Sequence, residues 1–293
     1  MRPNFIVIGA ARSGTTSLHK YLEAHPDIFM SDIKEINFFS NQKYWQKGID
    51  WYKRHFARAN HTAVGEASTS YTNFPLIKNV PKRMHTFLPH AKLIYIVRDP
   101  IDRFISHYLQ RIRRGAETRK ISDIVENHPD DHLLWQGRYF AQLEQFLSYY
   151  PFERFLLLTI DDLKNTPNET VMSIYRFLGV DDSFINADFS VTHNANKRTT
   201  QKNWFGRKVF RFYEDNVEQV NFPYTFKKMF FRLAELGARP IEKPVLSEDQ
   251  VRTLQEYYAC DIDSLQKISG KDLGGWRSYT VSNVAQPVKS TYS

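Results

Sequence analysis

The chain carries one cysteine, Cys260, in 293 residues. No intramolecular disulfide can form, which fits a reducing compartment. The lone thiol has no nearby metal-ligating partners, so a Cys/His zinc site is not expected. Cys260 reads as a small buried apolar residue of a helix, not a nucleophile. No apolar run approaches the ~20 residues of a membrane span. A strand begins almost at once in MRPNFIVIGA, leaving no length for a signal peptide. Together these absences point to a cytoplasmic protein. Internal repeats and low-complexity blocks are also missing.

What is present is an ordinary globular composition, 42% hydrophobic, with a net charge of +8. That charge suits an anionic ligand or surface, and equally a merely basic surface. The 22 Phe, 16 Tyr and 5 Trp suit a core rich in rings or a stacking site.

Four apolar runs read as buried strands, at residues 5–9, 62–65, 92–97 and 155–160. Helical spacing appears at 15–25, 102–114, 133–150, 168–178 and 247–269. The last opens on a capping box, Ser247 with Gln250. Alternating strands and helices predict an α/β domain with a central parallel sheet flanked by helices. One domain is expected over 1–277, with a basic, aromatic helical insertion at about 199–238. That insertion could pack on the domain or make peripheral membrane contact. Residues 278–293 are polar and expected to be loose.

A lysine is missing where it would matter most. GAARSGTT, residues 9–16, follows a strand and opens a helix, as a phosphate loop does. Gly9, Gly14 and Thr16 match that pattern, but Thr15 stands where the lysine belongs. Arg12 is the nearby cation. The backbone N–H groups of residues 13–17 and the hydroxyls of Ser13, Thr15, Thr16 and Ser17 would receive an anion. Without the lysine, a donor with less charge than a triphosphate fits better, such as a phosphosulfate anhydride. The second element is KLIYIVRDPIDRFISHY, residues 92–108. Arg98 ends the strand and can fork onto phosphate oxygens. Asp99 can cap the following helix, which carries Ser106.

On these two segments the sequence resembles the sulfotransferases that use 3′-phosphoadenosine-5′-phosphosulfate (PAPS), in the carbohydrate, heparan-sulfate-like branch and its bacterial relatives. FIVIGAARSGTTSL is similar to the family's 5′-phosphosulfate loop. IVRDPIDRFISHY is similar to its 3′-phosphate motif, in which Arg98 and Ser106 would bind. The likeness covers most of residues 4–178 and resumes at 239–276. It implies a P-loop-containing nucleoside-triphosphate-hydrolase-like sulfotransferase fold. It also implies transfer of a sulfuryl group from PAPS to an acceptor hydroxyl, in line, leaving 3′-phosphoadenosine 5′-phosphate (PAP), with no metal.

The resemblance extends to SDIKEINFFS, where Glu35 would be the general base beside Lys34. On the residues alone, Glu35 could equally be a loop carboxylate paired with Lys34, and His107, His61 and His85 are rival bases. GEASTSYT offers Glu66, Ser68 and Tyr71 to the acceptor. Here Ala67 replaces the lysine common in the carbohydrate enzymes, which weakens a heparan-type assignment. Arg12 replaces the lysine usual in the animal enzymes. Because arginine does not readily give up a proton, its implied role is electrostatic. QGRYFAQLEQFL places Arg138 and Tyr139 at the site, and HNANKRTTQKN supplies Lys197 and Arg198 for the 3′-phosphate. The expected partner is a hydroxyl-bearing acceptor, carbohydrate or lipid, and not a nucleic acid. A P-loop kinase using FLLLTIDD as a metal-binding strand end, a non-catalytic polyanion binder and an inactive scaffold are the competing readings.

Overall fold

The computed structural model describes residues 1–186, 199–216 and 224–279. Lys197, Arg198 and the tail from 280 on lie outside the described residues. Five strands form one parallel sheet in the order β2-β3-β1-β4-β5. They are β1 (Phe5–Gly9), β2 (Ile28–Met30), β3 (Ala63–Ala67), β4 (Lys92–Val97) and β5 (Phe155–Thr159). A small antiparallel pair, β6 (Thr199–Gln201) and β7 (Arg239–Ile241), brackets the basic segment.

The strand side chains alternate between two cores. Phe5, Val7, Ile94 and Ile96 pack with Leu18, Tyr21 and Leu22 of the Thr15–Glu23 helix and with Val171, Ile174 and Tyr175 of the Pro167–Leu178 helix. Ile6, Ile8, Leu93 and Tyr95 face the other way. They meet Ile101, Phe104 and Ile105 of the Pro100–Arg114 helix and Leu254, Tyr258 and Ile262 of the Glu248–Ser269 helix. Both faces of the sheet are covered, which explains why its strands read as continuous apolar runs.

Local departures have physical causes. The strand β2 was not expected, because three residues are too short for any periodicity. The helix expected over 133–150 is broken into His132–Trp135 and Tyr139–Leu147. Buried Asp261 accepts hydrogen bonds from Phe140 N and Ala141 N, both at 2.9 Å, and so supplies a second helix start from across the fold. Gly137 fills the break, where a Cβ would lie 2.9 Å from the Tyr258 ring. Cys260 is a correction: it is exposed on the outer face of its helix, while its neighbour Asp261 turns inward.

Candidate active site

The N-terminus of the Thr15–Glu23 helix is open. Gly14 precedes it in the left-handed region, at φ 92°, and no side chain caps the first turn. The first N–H groups of a helix have no partner within it and form the positive end of its dipole. Those of Thr15, Thr16 and Ser17 are therefore left as donors for an anion. Ser13 and Thr15 are buried in the loop, while Thr16 and Ser17 are half-buried. An alanine Cβ at position 14 would sit 3.3 Å from Ile160 Cγ1, on a backbone that L-residues rarely adopt. Gly14→Ala is expected to cost about 1–2 kcal/mol, read as a lower melting temperature. An unchanged melting temperature would show that the turn relaxes without strain.

Strands β1 and β4 are neighbours, so their carboxyl ends bring the loop and the second motif together. Ala10 N donates to Ile96 O at 2.6 Å across this junction. Beyond it, Arg12 Nε donates to Ser106 Oγ at 3.0 Å. Partial burial, then the like charges of Arg113, Arg98 and Arg114, hold Arg12 below the usual arginine range. By surface area Arg12 is exposed, so the crowd of cations is the part that an anion can relieve.

The second motif is fixed from several sides. Asp99 Oδ1 accepts from Asp102 N at 3.0 Å and so caps the Pro100–Arg114 helix, as expected. Its other oxygen accepts from Ser278 N at 2.8 Å. The Arg98 guanidinium pairs with Asp102 at 3.1 Å. Tyr139, which sequence reasoning placed at the site, is fully buried and donates to Arg98 O at 2.7 Å. It props up the strand end instead of lining an open surface. Arg138 lies over the rings of Trp135 and Tyr257.

Glu35 sits on a loop held by β3. Its N–H donates to Ala67 O at 2.9 Å, and its carboxylate receives Thr69 N at 2.8 Å and Lys34 Nζ at 2.7 Å. The carboxylate is half-buried, with part of its edge open to solvent. Arg12 and Glu35 have φ of 72° and 64°, and only two other non-glycine residues among those described, Asn37 and Asn79, have positive φ. Such backbone is uncommon and gathers where function over-determines it. Lys34 also helps hold His19 down to about 4, after the larger effect of burial. His19 belongs to the phosphate-loop helix, so the charge of Lys34 is felt on that helix.

Beneath this loop is a buried polar cluster. Glu66 accepts hydrogen bonds from Tyr52 Oη at 2.9 Å, Tyr71 Oη at 2.6 Å and Ser68 Oγ at 2.6 Å. Ser68 Oγ in turn accepts from Asn37 N at 3.0 Å. Burial pushes Glu66 up to about 7, with the charge of Glu35 adding to the rise and the three hydroxyls opposing it. Glu66, Ser68 and Tyr71 were expected to touch the acceptor. They are buried, so their reach to the surface runs through Asn37 and Glu35. Thr69 lies within GEASTSYT but is not singled out there, and Tyr52 joins the cluster only through packing from another segment.

The rival bases are differently placed. His107 is kept neutral by burial and by Arg103, Arg111, His132 and Arg12. His61 lies just before β3, at the amino end of the sheet, and His85 packs against Tyr149 and Tyr150. Asp162 at the end of FLLLTIDD completes a capping box with Thr159 and pairs with Lys271 at 2.8 Å.

The family described as Sulfotransferase domain matches residues 2–272. A membrane-associated sulfotransferase of Dictyostelium discoideum is 44% identical over 110 residues, which is 36% of this chain and 22% of that protein. A human bifunctional heparan sulfate N-deacetylase/N-sulfotransferase is 29% identical over 198 residues, 61% of this chain and 22% of that protein. The aligned part is thus about a fifth of these relatives. A sulfotransferase structure from Alicyclobacillus acidocaldarius superposes with a TM-score of 0.66 at 24% identity, covering 94% of this chain and 99% of that one. With its parallel sheet and its open phosphate loop, this chain belongs to the sulfotransferase family and has the P-loop-like sulfotransferase fold.

Proposed function

We infer that this sulfotransferase moves a sulfuryl group from PAPS to a hydroxyl of a carbohydrate or lipid acceptor. The observation that carries the reading is the Arg12–Ser106 hydrogen bond, which joins the phosphate loop to the second motif. An uncapped helix start beside a crowd of arginines fits a donor with anionic groups at both ends. PAPS, when bound, supplies the activated sulfuryl group. The N–H groups from Gly14 to Ser17 and the Arg12 guanidinium stabilise charge on the bridging and equatorial oxygens. Arg98 and Ser106 hold the 3′-phosphate, with Lys197 and Arg198 as further ligands. Glu35 takes the proton of the acceptor hydroxyl as its oxygen attacks in line, opposite the leaving phosphate. The scheme calls on no metal, and the cytoplasm is its proposed setting.

A thermal-shift comparison tests the donor. PAP should raise the melting temperature well above AMP at equal concentration, since only PAP has the 3′-phosphate. Equal shifts would remove Arg98 and Ser106 from that role. A larger shift with ATP and Mg²⁺ would favour a kinase.

A further inference from the structure

The Trp204–Asn216 and Tyr224–Ala234 helices form a hairpin with two unlike faces. Its inner side holds Phe210, Tyr213 and Ala234, all buried. Its outer side is also apolar. Trp204 is 63% exposed, Phe205 48%, Phe212 55%, Met229 45% and Leu236 57%. On the first helix, Trp204, Phe205, Lys208, Arg211 and Phe212 fall within roughly a third of the circumference, an arc that the sequence spacing also gives to Asp215 near the helix end. Lys208 lies over the Trp204 ring at 4.2 Å. On the second helix, Lys228, Met229 and Arg232 are exposed, and Leu236 is exposed just past its end. Among the described side chains of residues 200–236, Glu235 is the single carboxylate. It is already engaged by Lys202 at 3.0 Å and Thr200 Oγ1 at 2.6 Å.

The hairpin is anchored at the rim of the site. Lys202 Nζ donates to Arg113 O at 2.6 Å, on the last turn of the helix that carries Ser106. Arg207 packs so closely on Gly115 that a Cβ there would lie 2.3 Å from its side chain. Arg113 and Arg114, next to this anchor, belong to the cation crowd around Arg12.

We propose that the outer face of this hairpin docks on an anionic lipid bilayer. The pattern of rings with interleaved cations selects that occupant. Trp and Phe settle at the boundary of headgroups and acyl chains, while Lys and Arg reach the anionic headgroups above them. A second copy of the face would bring cation against cation, whereas the centres of protein interfaces are depleted of charge. No described helix is long and apolar enough to cross a membrane, so the contact lies along the surface.

The test is co-sedimentation of the full chain with vesicles of phosphatidylcholine, and of the same lipid with a third replaced by phosphatidylglycerol. Partition should rise about tenfold on the anionic vesicles and fall with added salt. Trp204→Ser combined with Phe212→Ser should lower binding to the anionic vesicles about tenfold. Lys208→Glu combined with Arg211→Glu should abolish the preference for them. These residues are exposed, and unchanged thermal melting of the variants checks that the fold is kept. The readout uses no donor nucleotide, so it stands or falls apart from the PAPS reading. Equal binding to both vesicles, or binding indifferent to both double variants, would overturn the proposal. So would self-association in light scattering that the aromatic variant abolishes, because the face would then be covered by a second copy.

Discussion

Glu35→Gln is expected to lower turnover by about 10²–10⁴-fold, the usual worth of a positioned general base. Glutamine keeps an oxygen for Thr69 N–H and loses only the partly exposed ion pair with Lys34, which contributes about 0–1 kcal/mol. The loop should therefore keep its place, and the thermal shift given by PAP should be that of the wild type. The measurement is PAP formed from PAPS with any hydroxyl acceptor that the wild type turns over, beside the PAP melting shift. Retained turnover would move the proton acceptor elsewhere. Loss of the PAP shift along with turnover would mean that the substitution disturbs the phosphate loop rather than the chemistry.

The second large effect is on stability. Glu66→Leu leaves the hydroxyls of Tyr52, Tyr71 and Ser68 without their acceptor inside the protein. At about 1–3 kcal/mol for each orphaned buried donor, the loss is a large part of a typical stability of 5–15 kcal/mol. The melting temperature should fall by about 10 °C or more. Glu66→Gln, which keeps an acceptor oxygen, should fall much less. The pH dependence separates the two forms of the carboxyl. Its pKa is about 7 in the fold against an ordinary 4.5, so between those values the folded chain holds a proton that the unfolded chain has lost. Its stabilising share is complete below about 4.5 and is lost as the pH rises through 7. The melting temperature of the wild type minus that of Glu66→Gln should be greater at pH 6 than at pH 8. The charged group facing Glu66 is Glu35, so the same comparison on a Glu35→Gln background should move the midpoint downward. A difference that is flat with pH would mean that Glu66 does not change its charge in this range.

Features written in local chemistry were legible in the sequence. The strands β1 and β4 were read to the residue, because uninterrupted apolar runs with β-branched residues have few other homes. The cap at Asp99 and the capping box at Ser247 follow from side chains that bond the backbone three positions on. The open turn at Gly14 is legible for the same reason, since its glycine is demanded by the left-handed backbone. What was not legible depends on packing between distant segments. Glu66, Ser68 and Tyr71 look like site residues in GEASTSYT, yet Tyr52 and Asn37, from two other segments, enclose them. Asp261 starts a helix 120 positions away from itself, a partnership that no window of sequence displays. Residue type predicts a buried Cys260, but the face of the helix on which a residue falls decides its burial, and that face is the outer one.

The innermost strand of the sheet is also the earliest to be synthesised. β1 pairs with β3 on one side and β4 on the other, and both arrive later in the chain. At bacterial or eukaryotic translation rates, roughly 5–20 s separate its emergence from that of β4, about ninety residues on. Until β3 emerges FIVIG has two bare edges, and from then until β4 emerges it keeps one. A nascent chain of this protein is therefore most exposed to aggregation and to chaperone capture before residue 97 leaves the ribosome.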